Sequence, residues 1–248
     1  MTPELFDTRV LGAVRFVDNA TQGLITDGLA VSSPQGDLRK NRSGLWVIWN
    51  AVGLEAHTTV FDAPPAAPPV GSVAMPLTVT DQTGRYLPRN ATLALPRDPD
   101  PAHADQAASL FQAANVVLYR SPAAPVSPGW AVIRAHVQNA ATKAPLESAL
   151  LRVVRTSDSV VLARGMSDDR GEALVVVPGI PVTTFNTGNG PPLATEVDVT
   201  VEAIFDAKAG PVIDPEAVEG KAGLPKASSP EKLTAGEEMP LLLEITLM

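Results

Sequence analysis

The chain contains no cysteine and is poor in aromatic and basic residues. Of its 248 residues, 4% are aromatic, and 19 Lys and Arg residues stand against 27 Asp and Glu residues. The absence of cysteine excludes disulfide frameworks and thiolate chemistry. The net charge of −8 disfavours contacts with nucleic-acid phosphates and anionic lipids. We therefore expect neither nucleic acid nor a membrane as a partner, and we expect packing alone to stabilise the fold.

Long hydrophobic runs are also missing from the sequence. A membrane helix needs about 18 consecutive apolar residues, but the apolar run at 173–177 ends at Pro178 and the run at 241–243 ends at Glu244. The opening seven residues lack a basic segment followed by an apolar one, so they do not resemble a secretory signal. The sequence therefore predicts a cytoplasmic protein that is not inserted in a membrane.

Apolar residues recur mainly with a period of two, which is typical of half-buried β-strands. The clearest run is Val197, Val199, Val201, Ala203 and Phe205. Further strands are predicted at 10–16, 45–51, 75–80, 91–95, 116–119, 130–137, 149–154, 160–163, 172–177 and 239–247. Helix is predicted only in short connections, at 104–114 and at Asp214-Pro215-Glu216. Short strands separated by turn signals predict an all-β fold of the sandwich type.

Two proline-rich stretches interrupt this pattern, at 62–70 and at 122–128. Such stretches are stiff and extended and join a β-ladder poorly. The second stretch separates two similar segments, because residues 17–29 align with residues 138–150 at an offset of 121. Farther along, residues 42–48 align with residues 169–175. We interpret this as an internal duplication, with one domain at 1–121, a linker at 122–128 and a second domain at 129–248.

The second half carries a recognisable pattern of turn residues. Thr142-Lys143-Ala144-Pro145-Leu146 forms a predicted tight turn, and Ser167-Asp168-Asp169-Arg170-Gly171 precedes an apolar strand. This pattern resembles the carboxypeptidase regulatory-like, transthyretin-like module. The resemblance implies two tandem Ig-like β-sandwich domains with long proline-rich loops.

Some transthyretin-like proteins hydrolyse 5-hydroxyisourate and carry a His-Val pair and a terminal Tyr-Arg-Gly-Ser. Fragments similar to these occur at His136-Val137 and at Tyr119-Arg120-Ser121, but in different halves of the chain and without the Gly. One imidazole without converging partners does not make an acid–base site. The preferred interpretation of His136 is a partly buried strand residue, and we predict no catalytic residues, with the hydrolase-like enzyme as an alternative.

A second cluster of titratable residues comprises Asp98, Asp100, His103 and Asp105. Oxygen-rich loops can bind calcium, but this spacing fits no calcium loop and the alternating prolines hold the segment extended. We interpret the cluster as a solvated acidic loop, and we predict no metal site and no cofactor.

The residues with the best potential for binding are Trp46 and Trp49. They lie three apart in one predicted strand, so they should point to opposite faces, one into the core and one outward. An exposed Trp could anchor a protein interface or bind a glycan, whereas packing under the proline-rich loop is the structural alternative.

The function that we predict is a non-enzymatic structural or interaction module. Tandem Ig-like modules without signal peptides resemble accessory parts of phage tails and contractile injection systems, which implies other protein subunits, including copies of this chain, as partners. The alternative is a glycan- or surface-binding module that uses Trp49 or the loops.

Overall fold

The computed structural model describes residues 9–59, 65–181 and 196–247. Fourteen β-strands account for most of the regular structure in these residues. Their bounds are β1 Gly12–Asp18, β2 Leu29–Ser32, β3 Gly36–Lys40, β4 Trp46–Ala51, β5 Val73–Asp81, β6 Arg89–Leu95, β7 Ala114–Leu118, β8 Ala131–Asn139, β9 Leu150–Arg155, β10 Val161–Met166, β11 Glu172–Val177, β12 Glu196–Ile204, β13 Lys226–Thr234 and β14 Glu238–Ile245. The helices are α1 Glu55–Thr59, α2 Pro215–Glu219 and a 3-10 turn at Pro101–His103. The predicted all-β class is confirmed.

The chain forms two compact units. The first contains the described residues of Met1–Val17, Gly23–Gln82 and Asn90–Val117. The second contains Asp18–Gln22, Thr83–Arg89 and the described residues of Leu118–Met248. The predicted domain limits stay a prediction. The opening residues, on which the expectation about a secretory signal depends, and residues 62–64 of the first proline-rich stretch lie outside the described residues.

The first unit is a sandwich of two sheets, with strand orders β3-β4-β1-β7 and β2-β5-β6. Strand β1 pairs antiparallel with β4, and β2 pairs antiparallel with β5. Apolar side chains alternate toward the inside, as the period-two pattern predicts. Fully buried members of this core include Val14, Phe16, Ile48, Met75, Leu77 and Leu95.

The second unit is also a sandwich, with strand orders β11-β8-β14 and β10-β9-β12-β13. Strand β14 runs parallel to β8, whereas the other pairs described in this unit are antiparallel. The main core lies between the two sheets and consists of small and branched side chains, among them Ile133, Val137, Leu151, Val153, Val175, Val201 and Ile245.

The proline-rich stretch 122–128 covers part of this second unit. Ala124 is buried in a small cluster with Val132 and Leu174 on β8 and β11, and Val126 and Trp130 pack against that cluster. The stretch adds no strand to either sheet, as its proline content predicts.

Three strands were not predicted. Residues 29–32 and 36–40 form β2 and β3, and the polar segment 226–234 forms β13. Strand β13 pairs with β12 over nine residues at the edge of its sheet. An edge strand tolerates Pro230 and three lysine or glutamate side chains because one side of its backbone needs no partner.

The two helix predictions had different outcomes. The prediction at 104–114 is wrong, because the segment after the 3-10 turn consists of turns and an isolated bridge until β7 begins at Ala114. The prediction at 214–216 is confirmed, because Asp214 caps α2 and accepts a hydrogen bond from the backbone N–H of Ala217 at 3.4 Å. No helix among the described residues is long and apolar enough to cross a membrane.

Candidate binding surface

Trp49 lies at a β-bulge, and its side chain is exposed. Strand β3 pairs Asp37 with Asn50 and Leu38 with Ile48, so Trp49 has no partner residue on β3. One extra residue of this kind interrupts the alternation of side chains. Trp49 and Asn50 are consecutive exposed residues on β4, between the buried Ile48 and Ala51.

The backbone opposite the bulge requires glycine. A Cβ built at Gly36 would clash with the carbonyl oxygen of Asn50 and would lie 2.9 Å from Cε of Met75. Gly36 therefore allows β3 and β4 to approach closely just beyond the bulge. The bulge is part of the packed sheet, so the position of Trp49 is fixed by the strands rather than by a loop.

The two tryptophans differ in exposure. Trp49 is 37% exposed, and Val52, just beyond the same strand, is 67% exposed. Trp46 is half-buried, and its indole Nε1–H is buried without a hydrogen-bond acceptor. Trp49 is therefore the exposed member that the strand spacing predicts. Trp46 is half-buried and is not the core residue that the same spacing predicts. What either residue binds stays a prediction.

The residues that resemble parts of a hydrolase site lie in different places, and each makes its own structural contacts. His136 lies on β8, opposite Glu172 of β11 and Leu242 of β14. Arg120 bonds to Asp18 at 2.8 Å, donates to the carbonyl oxygen of Pro125 at 2.7 Å and lies 5.2 Å from the ring centroid of Trp130. These contacts account for Arg120 as a structural residue of the second unit.

The acidic loop at 98–105 forms its own turn. Asp98 accepts a hydrogen bond from the backbone N–H of Asp100 at 3.0 Å and pairs with Nδ1 of His103 at 2.7 Å, while Asp100 accepts from the N–H of Ala102 at 2.9 Å. The bonds from Asp100 and His103 lower the pKa of Asp98, and the bond to Asp98 raises the pKa of His103. Within the described ranges, no group of His, Asp and Glu residues is arranged to hold a metal.

A buried polar cluster in the second unit was missed by sequence reasoning. Oδ1 of Asp18 accepts from the backbone N–H groups of Ala20 and Thr21, and Oδ2 binds Tyr86 Oη at 2.7 Å and Arg120 at 2.8 Å. Burial alone would raise the pKa of Asp18, but the hydrogen bonds from Thr21, Tyr86 and Arg120 hold it below its usual value. Burial and the bond to Asp18 raise the pKa of Tyr86 to about 12.

A second group of ion pairs fixes α2 within the same unit. Arg89, whose side chain is 1% exposed, forms a two-pronged pair with the carboxylate of Glu216. Glu219 binds Arg152 at 3.2 Å and Arg164 at 3.0 Å. The partners are separated by up to 127 residues in the sequence, so only the fold brings them together.

No protein-family model matches the chain, and a comparison with curated proteins found no match. Among solved structures, the chain is similar to the shaft pilin SpaA from Lactobacillus rhamnosus GG, with 12% identity over 97% of this chain and 99% of the pilin, at a TM-score of 0.28. It is similar to the Bacillus anthracis TIE protein, with 8% identity over 96% of this chain and a TM-score of 0.30, and to an (S)-allantoin synthase, with 11% identity over 49% of this chain and a TM-score of 0.23. The chain spans 34% of the TIE protein and 43% of the synthase. At these scores the similarity assigns neither a family nor a function.

Proposed function

We propose that this chain is a non-enzymatic structural or interaction module of a larger protein assembly. The observation that carries the proposal is the exposed Trp49, which a β-bulge holds on the surface of a packed sheet. Tryptophan is enriched among the residues that contribute most to protein interfaces, because its large ring buries much surface and loses little conformational entropy. Bulges are over-represented at sheet edges and next to active sites, and they are treated as built features of a sheet rather than as defects.

The neighbourhood of Trp49 supports an interface. Val52 adds an exposed apolar side chain directly after β4, and Asn50, the next residue in the chain, adds an exposed polar group. An apolar centre with polar neighbours is the usual composition of a protein–protein contact. A rigid strand also presents this surface without an ordering cost on binding.

We further propose that the assembly is a phage tail or a contractile injection system, with this chain as an accessory component. Two β-sandwich units in tandem and a net charge of −8 support this, because such units serve as docking modules and the charge keeps the free chain soluble. On this proposal the chain assembles in the cytoplasm with other subunits, including copies of itself.

The test is purification of the chain from its native source with quantitative identification of bound proteins, for wild type and Trp49→Ala. We expect sheath, tube or baseplate proteins to copurify with wild type in fixed ratios, and their recovery to fall at least tenfold with Trp49→Ala. Val160→Ser is the matched control, since Val160 is 46% exposed in the second unit. Recovery of wild type as a free monomer at native abundance would contradict the proposal.

An exposed Trp also fits a glycan-binding module, because sugar rings stack on indole faces. A glycan array with wild type and Trp49→Ala separates the two functions. Binding of a defined glycan that disappears in Trp49→Ala, with no copurifying particle proteins, would favour the glycan-binding module over the assembly component.

A further inference from the structure

The first unit contains a cavity of about 210 Å³ that no part of the proposed function uses. Its wall is mainly apolar and combines the segment just before β1, the second half of the first proline-rich stretch and the segment after β6. The apolar members that line it include Leu11, Pro65, Pro68, Val70, Pro96 and Leu110. A cavity of roughly 150 Å³ is sufficient for a benzene ring, so this one can accept a ring or a branched aliphatic chain with a polar head group.

The most unusual residue in the wall is His57 of α1. Its side chain is buried, with a relative exposure of 6%, and both ring nitrogens are buried without a hydrogen-bond partner. Buried polar groups are nearly always hydrogen-bonded, because an unpaired one has lost water without a replacement. An imidazole that lines a cavity in this state is ready to bond to a ligand inside it.

The other polar residues in the wall are cationic. Arg9 and Arg97 line the same cavity, and the lining among the described residues includes no Asp or Glu. Arg97 donates to the carbonyl oxygens of Ser109 and Gln112, at 3.3 and 3.1 Å, so neutral backbone groups hold it in place. Its pKa is lowered by burial, because removal from water disfavours the charged guanidinium. An anion in the cavity would offset this cost.

We propose that this cavity binds a small organic carboxylate with an apolar body. The carboxylate oxygens accept hydrogen bonds from His57 and are attracted by the two guanidinium groups, and the apolar body packs on the prolines, Val70 and Leu110. A charged hydrogen bond of this kind is stronger than a neutral one. The chain as a whole is acidic, so the positive character of this cavity is local.

The test is a titration of the whole chain with benzoate, followed by NMR of the histidine ring signals. The chain has three histidines, so His103 and His136 serve as internal references. We expect benzoate to shift the His57 signals saturably and to leave the other two unchanged. Benzamide, which keeps the ring but not the charge, and acetate, which keeps the charge but not the ring, should each bind at least tenfold more weakly.

Two variants support the titration, and calorimetric titration with benzoate measures their binding, because His57→Leu has no His57 signal to follow. His57→Leu removes the hydrogen-bond donor, and Val70→Asp places a negative charge at a side chain that is 50% exposed, so it should fold even if the first variant does not. Both should weaken benzoate binding at least tenfold, whereas His136→Leu in the second unit should not change it. Equal shifts of all three histidines, no shift at all, equal binding of benzamide, or unchanged binding by Val70→Asp would each overturn the proposal.

Discussion

The first seven strands and the last seven strands of the chain follow the same plan but differ in two instructive places. In both sets, the first strand lies between the fourth and the seventh, and the second strand pairs with the fifth. The third strand differs, because β3 pairs with β4 whereas β10 pairs with β9 in the other sheet. The edges of a sandwich can therefore exchange a strand while the central order stays the same.

The turn that follows the first strand of each set is nearly identical. Asp18 and Asn139 lie 121 residues apart, and each accepts hydrogen bonds from the backbone two and three residues later. Gln22 and Lys143 then adopt positive φ angles of 57° and 60°. This match agrees with the internal duplication that the sequence predicts.

The turn before the fourth strand of each set also matches. Asn41 and Asp168 each accept from the backbone two and four residues later, and Gly44 and Gly171 follow with φ angles of 80° and 73°. The two copies of each turn differ in their surroundings rather than in their backbone. Substitutions at equivalent positions can therefore separate what the turn requires from what its surroundings add.

The largest difference in the loss of unfolding free energy is expected between Asp18→Ala and Asn139→Ala. Both variants lose the turn bonds, but Asp18→Ala also leaves the buried Arg120 and Tyr86 without their carboxylate. Breaking a buried ion pair costs about 3–5 kcal/mol, whereas loss of turn hydrogen bonds costs about 1 kcal/mol. Chemical denaturation of the second unit, followed by Trp130 fluorescence in a Trp46→Phe, Trp49→Phe background, measures both. Equal losses would show that the buried pair contributes nothing.

A smaller difference in the loss of unfolding free energy is expected between Gly171→Ala and Gly44→Ala. Both place a side chain at positive φ, at a cost of about 1–2 kcal/mol. At Gly171 the new Cβ would also clash with the carbonyl oxygen of Val137, whereas at Gly44 it would lie 2.8 Å from the Thr26 methyl group, which can move. We expect a loss of about 2–4 kcal/mol for Gly171→Ala and of about 1–2 kcal/mol for Gly44→Ala, measured by hydrogen exchange in each unit. A larger loss at Gly44 would contradict this account.

Acid should affect the two copies of the first turn differently. The pKa of Asp18 is lower in the folded chain than its ordinary value of 3.8, so its contribution is complete above that value and is lost as pH falls through the folded pKa. Asn139 does not titrate. We expect the stability difference between wild type and Asp18→Asn to shrink below about pH 4, in denaturation curves recorded from pH 7 to pH 2. A constant difference over this range would mean that Asp18 is not preferentially ionised in the fold.

The smallest change in stability is expected when glycine replaces the positive-φ residues in the two copies of the first turn. Glycine relieves the strain of about 1 kcal/mol but makes the unfolded chain more flexible, so most of the gain cancels. Gln22→Gly and Lys143→Gly should each stabilise the chain by about 0.5 kcal/mol or less. Thermal unfolding of both variants and the double variant measures this. A loss above 1 kcal/mol at either position would show that its side chain contributes more than the backbone conformation.

The strands that were predicted are those with a buried face. Alternating apolar residues identified β1, β5, β12 and their neighbours, because such residues must face a core in any sandwich. Strands β3 and β13 were missed because they lie at edges, where polar side chains and even Pro230 are tolerated. Local pattern thus predicts central strands better than edge strands.

The candidate surface was predicted only in part. The spacing of the two tryptophans indicated that one should be exposed, but no local signal marks the bulge, which depends on how Gly36 fits against Asn50. His57 carried no signal at all, since a single histidine next to Thr58 in a short helix is ordinary. Its two unpartnered ring nitrogens become visible only in the fold, where the segment before β1 and the proline-rich stretch line the same cavity.

By itself, the sequence determined the all-β class, most central strands, the repeated turns and the cap of α2, because these depend on residue type and short spacing. The tertiary structure decided which sheet the third strand joins, where the bulge beside Trp49 lies, how Asp18 meets Tyr86 and Arg120, and that the buried ring nitrogens of His57 have no hydrogen-bond partner. Each of these depends on contacts between residues far apart in the chain. Such contacts are selected by the packing of the whole unit, and no local pattern encodes them.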